Sequence, residues 1–434
     1  MEQNRTLNIV VDGKLVNDGK LVPKTIKERL ADLPTASYCA YLWAGAAVGP
    51  SGEVMPCCRF FGPRTKNDDT PHIRDGLKQA REGEYFTGLR KQMSEGKKPY
   101  QCGKCWGMEN DLLIAEASGD QLVRGSLPRL NIDEKVETRD TAPEPSKIRY
   151  LETGISSLCN MACIMCGSNA SSTIFSIHNP KKKIPKGFHQ SNDNINDDLS
   201  ELRYLKFVGG EPMLEHKHDD LLEKVIQLNN TPKRLAIEYH TNISHFPSRR
   251  VIECWKKIKK IIIIFSLDGV KENATLQRPG KYNWQMIEDT VNKYRELTNE
   301  VNIKFSSNTV MTALNIGQIT DLIDWLHDKV GDKQIDWFNV NPISKGLDNY
   351  IDFRNLSKET KDRIKKKWDD WENSNPLARK SPMGRMLDVA RFYIDETGDL
   401  DQHLTKELML EKHRLRLNWK HFGEDLTNLD IEEK

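Results

Sequence analysis

A rhythm that begins at residue 148 restricts the fold more than anything else in the chain. Short apolar runs lie at Ile148–Thr153, Tyr204–Val208, Arg234–Tyr239, Ile261–Leu267, Val301–Ser306 and Ile335–Val340. Each has the length of a buried strand. Between most of them the spacing is helical, as in Asp219–Leu228 and Asn283–Leu297. Strands that alternate with helices build parallel βαβ units. Six such units within about 200 residues predict an α/β fold, a partial barrel of the (β/α)6 kind. Barrels of this kind place their chemistry at the carboxyl ends of the strands.

The chain carries nine cysteines, and they are clustered. Five lie between Cys39 and Cys105, three between Cys159 and Cys166, and Cys254 stands alone. The polar start MEQNRTLNIVVDGK lacks the apolar core of a signal peptide. The longest apolar run, Ile261–Leu267, is too short to span a bilayer. A cytoplasmic location is expected, with no membrane partner. In a reducing compartment, grouped cysteines read as metal ligands before disulfides. The formal net charge of +2 argues against dedicated nucleic-acid binding.

Cys159, Cys163 and Cys166 form a C-x3-C-x2-C triplet directly after the first predicted strand. Three thiolates within eight residues can converge on one metal centre from one loop. A 4Fe–4S cube so held keeps one iron open. That iron can chelate the amino and carboxylate groups of S-adenosylmethionine (SAM). One electron then cleaves the C–S bond, and a 5′-deoxyadenosyl radical abstracts hydrogen from a substrate. Structural zinc is the competing account, but it usually takes four ligands in C-x2-C pairs.

At this point the sequence resembles the radical SAM superfamily. Gly209-Gly210-Glu211-Pro212 closes the second predicted strand, where the resemblance implies a turn that binds the SAM amino group. Glycine there permits close backbone approach. Asn242 ends the third strand, Ser266 the fourth and Asn341 the sixth, with Arg278 shortly after the fourth. The resemblance implies that these polar groups touch SAM; as plain turn or cap residues they would need no ligand. Met165 stands where the superfamily usually has an aromatic residue.

Upstream, Cys39 is followed by Gly52 and Cys57 in a C-x12-G-x4-C pattern, and then by Cys102-Gly-Lys-Cys105. AVGPSGEVMPCC reads as a hairpin and EYFTGLRKQMSEG as an amphipathic helix. Four thiolates at these spacings suit a second 4Fe–4S cluster or zinc. Cys58 competes with Cys57 as the ligand, and the glycine spacing favours Cys57. The pattern resembles the twitch module, the shortened relative of the SPASM domain. It implies an auxiliary cluster bound by Cys39, Cys57, Cys102 and Cys105.

The expected organisation is an N-terminal extension at 1–35, a twitch-like module at 36–118 and a linker at 119–147. A radical SAM partial barrel follows at 148–345, then a helical C-terminal extension at 346–434. The resemblance implies a flavodoxin or ferredoxin as reductant and a peptide or protein as substrate. A small carbohydrate or nucleoside is the alternative substrate, and a non-catalytic metal-binding protein the alternative function. His216 and His218 read as solvated loop residues, and Cys254 as a buried core thiol.

Overall fold

The computed structural model describes residues 35–60, 71–110, 145–184, 194–343 and 349–412, short gaps within them aside, together with a small ladder at 10–15. Most of the predicted extension at 1–35, most of the linker and the end of the chain lie outside the described residues.

Strands β1 (Val10–Val11) and β2 (Lys14–Leu15) pair only with each other. The main sheet has eight strands: β3 (Gly45–Val48), β4 (Val54–Met55), β5 (Tyr150–Gly154), β6 (Tyr204–Val208), β7 (Ala236–Thr241), β8 (Lys260–Ser266), β9 (Ile303–Met311) and β10 (Ile335–Pro342). Their order is β10-β9-β8-β7-β6-β5-β3-β4. All six runs predicted from residue 148 onward are strands. Consecutive strands are neighbours from β5 to β10, as right-handed βαβ connections dictate.

By internal contacts the chain divides into two units. The first comprises residues 1–157, 186–239 and 247–262. Here β3 and β4 form the predicted hairpin, with Val48 opposite Val54. Strand β3 also runs parallel to β5, with Gly45 opposite Tyr150 and Val48 opposite Thr153. The N-terminal cysteine segment is thus laid into the same sheet as the barrel strands. Helices α1 (Ala40–Ala44), α2 (Leu77–Glu82), α3 (Glu84–Ser94) and α4 (Gly103–Asn110) surround it. Arg81 and Arg90 are buried and tie α2 and α3 to α1. Arg81 donates to the Trp43 carbonyl at 2.8 Å and pairs with Asp197 at 2.5 Å, while Arg90 donates to the Leu42 carbonyl.

Alternation puts Phe207 and Tyr239 on the face that meets helix α6 (His216–Leu228). His218 sits there, 1% exposed, between rings of Phe207 and Tyr239. Its ring nitrogens meet Asp219 Oδ1 at 2.9 Å and the Tyr239 hydroxyl at 3.0 Å. The solvated-loop reading of His218 is therefore corrected. The helix begins two residues earlier and turns His218 onto the sheet, where both nitrogens find partners; His216 is exposed. Cys254, on α7 (Arg249–Trp255), is buried as expected.

The second unit comprises residues 158–185, 240–246 and 263–434. Its core includes Phe265 stacked on Phe305, and strands β9 and β10 pair in parallel register. Helices α8 (Lys271–Gln277), α9 (Trp284–Leu297) and α10 (Ile319–Lys329) connect the strands. After β10 the described chain is helical, through α11 (Lys358–Ser374), α12 (Pro376–Lys380) and α13 (Met386–Ile394). Among the described residues no helix is long and apolar enough to cross a membrane.

Candidate iron–sulfur and SAM site

The cysteine triplet occupies a loop in the second unit, and its backbone is fixed from two sides. On one side is α5 (Ser172–His178), capped by Ser171. The Cys159 N–H donates to Ser172 Oγ at 3.1 Å. The Cys159 carbonyl accepts from Thr173 Oγ1 at 2.6 Å, and the Met161 carbonyl from Ser171 Oγ at 2.8 Å. On the other side is the chain after α8. Ala162 and Ile164 donate to the carbonyls of Pro279 and Gln277, and Met161 bridges Gly280. A Cβ on Gly280 would lie 2.6 Å from the Asn160 carbonyl oxygen, so only glycine lets the segments approach this closely.

Arg278 and Asn242 reach sulfurs of the triplet. Arg278 presents a guanidinium N–H 3.6 Å from Cys163 Sγ, and Asn242 presents its amide 3.9 Å from Cys159 Sγ. Cys163 is buried, and this burial pushes its thiol up to about 12. The Arg278 charge pulls the other way, while Cys159 and Cys166 add to the rise. Three thiols that repel one another as anions, beside a fixed cation, form a donor set that a multi-iron cation neutralises. Hydrogen bonds to cluster sulfurs are one of the levers that set a cluster's potential.

Arg278 is itself anchored. Its Nε meets Asp268 Oδ2 at 2.6 Å, and Asp268 Oδ1 accepts the Val310 N–H at 2.8 Å. Burial alone would lower the basicity of Arg278, but Asp268 and then Cys163 raise it. Asp268 lies within the Ser266-Leu267-Asp268-Gly269 motif. The motif's expected contact was Ser266; the aspartate's anchoring role was overlooked, although an acid two residues past a strand end is a readable signal. We expect Asp268→Asn to destabilise the protein by about 3–5 kcal/mol, because a buried guanidinium loses its counter-charge. Urea denaturation measures this; a loss under about 1 kcal/mol would show the pair to be dispensable.

Asn242 is held as tightly. Its Nδ2 donates to Asn160 Oδ1 at 3.0 Å, and its Oδ1 accepts from Ser244 N and Oγ at 3.0 and 2.6 Å. The next residue, Ile243, has φ of +63°, a conformation that β-branched side chains rarely adopt. Such strain clusters at sites where the backbone must aim a neighbour. Ser266 ends β8 half-buried, and Asn341 is exposed near the end of β10, opposite Val310.

In the first unit, the turn at Gly209–Pro212 is built on the chain leaving β5. Gly209 has φ of +111°, and a Cβ there would sit 2.7 Å from the Ser156 carbonyl oxygen. Gly210 donates to that same carbonyl at 2.9 Å. Glu211 is 1% exposed, and its Oε1 accepts from the Met213 N–H at 3.1 Å. Pro212 opens the short helical turn that follows.

The N-terminal cysteines gather in the first unit. Cys39, Cys57, Cys102 and Cys105 line one cavity, walled by Leu42, Phe60 and Met93. Burial pushes the Cys57 thiol well up, and Cys39, Cys58 and Cys105 push it further. Cys58 is not among the residues that line this cavity. Burial raises its thiol, and so does Glu152, to which it hydrogen-bonds. Among the described residues no three His, Cys, Asp or Glu side chains meet at the spacing of one metal ion.

One further constellation escaped the sequence reading. Glu152, Lys206 and Glu238 share one rung of β5, β6 and β7. Lys206 Nζ lies 3.5 Å from Glu152 and 3.6 Å from Glu238, and all three are largely buried. Tyr150 donates to Glu152 at 2.9 Å, and Tyr204 donates to Glu238. The signal was present as Tyr-Leu-Glu, Tyr-Leu-Lys and Ala-Ile-Glu at matching places in three successive strands.

Residues 154–326 match the family model described as the radical SAM superfamily. No curated protein matches the chain. Among solved structures, Streptococcus suis SuiB bound to S-adenosylmethionine is 20% identical, over 51% of this chain and 44% of SuiB, with a TM-score of 0.31. Native anSMEcpe with bound AdoMet and the Cp18Cys peptide is 18% identical, over 51% of this chain and 60% of its own, with a TM-score of 0.33. The radical S-adenosylmethionine methyltransferase TsrM from Kitasatospora setae is 13% identical, over 42% and 34%, with a TM-score of 0.30. The chain spans less than half the length of SuiB. Scores this low carry no conclusion about activity. The family match does cover the cysteine triplet, the Gly209–Pro212 turn, Asn242, Ser266 and Arg278. These residues therefore lie in a radical SAM superfamily domain that spans residues 154–326.

Proposed function

We propose that this enzyme cleaves SAM reductively and uses the 5′-deoxyadenosyl radical to abstract hydrogen from a peptide or protein. The observation that carries the reading is the cysteine loop, with Arg278 and Asn242 as donors to two of its sulfurs. Cys159, Cys163 and Cys166 would hold a 4Fe–4S cluster. When bound, such a cluster supplies one electron to the C–S bond of SAM and chelates SAM at its open corner.

The chain's own groups do the rest. Asp268 fixes the guanidinium plane of Arg278, so its remaining N–H groups stand ready for a carboxylate. Gly209 and Gly210 give a turn with no side chain to block an amino group, and Glu211 adds a buried acid beside it. Ser266 and Asn341 offer polar contacts at strand ends. Cys39, Cys57, Cys102 and Cys105 would hold a second cluster that relays electrons or meets substrate. A closed set of four thiolates also suits zinc. The peptide substrate rests on the resemblance of this N-terminal pattern to twitch and SPASM proteins. The domain boundaries and the cytoplasmic location stand as part of the same proposal.

The test is anaerobic reconstitution with iron and sulfide, followed by dithionite and SAM, with chromatography for 5′-deoxyadenosine. Its formation at several turnovers per chain supports the reading. A protein that binds iron and sulfide yet leaves SAM intact would be a binding protein or an electron carrier.

A further inference from the structure

A lysine-rich segment of the first unit contributes Met93, Cys102 and Cys105 to the four-cysteine cavity. From Lys91 to Lys104 the chain holds Lys91, Lys97, Lys98 and Lys104 against a single acid, Glu95. This short segment carries more net positive charge than the whole chain, which totals +2. All four lysines are exposed. Glu95 pairs with Lys97 at 2.8 Å, but both are open to water, so the pair gives way cheaply to another partner. Tyr100 stands among the lysines, 67% exposed. Lys104 stands in sequence between Cys102 and Cys105, which line the cavity. Lys98 lies 5.4 Å above the buried Trp106 ring, whose N–H donates to the Pro99 carbonyl.

We propose that this lysine rim, with Tyr100 at its centre, is the docking face for an acidic one-electron carrier protein. The proposal rests on reading Cys39, Cys57, Cys102 and Cys105 as holders of an electron-carrying cluster. Lysines on a rim steer a partner of opposite charge and set its orientation. An exposed aromatic ring gives the contact a flat apolar centre. The transfer makes and breaks no bond and moves no proton. One electron leaves the reduced carrier, which is oxidised, and enters the cysteine-held centre, which is reduced.

The experiment measures binding of a fluorescently labelled bacterial flavodoxin to the reconstituted enzyme by anisotropy, at low and high salt. The variants are the triple Lys97→Glu, Lys98→Glu, Lys104→Glu, and the control Lys366→Glu on the exposed face of α11. We expect wild-type binding to weaken steeply with salt, the triple variant to bind about tenfold more weakly, and the control to bind as wild type. Flavodoxin-driven formation of 5′-deoxyadenosine should fall in parallel, while dithionite-driven formation holds. Equal flavodoxin binding by the triple variant and wild type overturns the proposal. So does tighter, lysine-dependent binding of a single-stranded oligonucleotide, which would make the rim a nucleic-acid face. A wild type that makes no 5′-deoxyadenosine with dithionite rejects the SAM reading alone, because the binding measurement still decides the docking face.

Discussion

Replacing Cys163 with alanine should remove about four irons per chain and lower 5′-deoxyadenosine formation more than about a hundredfold. Cys163 is the most buried thiol of the triplet and the one that faces Arg278. Its neighbours Ala162 and Ile164 are pinned by backbone bonds, so losing the sulfur should not release the loop. Circular dichroism and the melting temperature of the apoprotein should therefore change little. Cys159→Ala and Cys166→Ala should show the same iron loss. Full iron content in any of the three, measured on a protein with its second set of cysteines intact, would remove that residue from the ligand set.

The second expectation separates two adjacent cysteines. Cys57→Ser should lower the iron of the reconstituted protein from about eight to about four per chain, whereas Cys58→Ser should leave it at about eight. Cys57 lines the cavity with Cys39, Cys102 and Cys105. Cys58 hydrogen-bonds to Glu152 and is not among the residues that line that cavity. The readout is iron and zinc by mass spectrometry, with the charge-transfer absorbance of the cluster as a second signal. About one zinc per chain, lost with Cys57, would convert the auxiliary site to structural zinc. Metal loss on replacing Cys58 instead would reverse the assignment.

Much of this was legible before any coordinates. Each strand from β5 to β10 carries enough apolar or β-branched residues to stand out as a short run, because a parallel sheet packs against helices; the polar residues within the runs, such as Glu152, Lys206 and Glu238, did not hide them. The cysteine loop was legible because a cluster's ligands must sit close in sequence to share one loop. What stayed hidden depended on tertiary partners. Asp268 is an ordinary turn residue until Arg278 and Val310 are seen to meet it. His218 looked solvated because its charged neighbours dominate the local composition, and only helix phase puts it against Tyr239. The parallel pairing of β3 with β5 was beyond reach, since nothing in a four-residue run names its partner.

That pairing sets a condition on how the enzyme is made. Residues 45–48 emerge from the ribosome with half of their hydrogen-bonding groups waiting for a strand about a hundred residues downstream. During that interval the hairpin is a bare template for other chains. A shortened version that starts at the barrel would carry the same defect in mirror form, with the edge of β5 laid open. Both pieces are expected to aggregate when expressed alone and to recover when produced together.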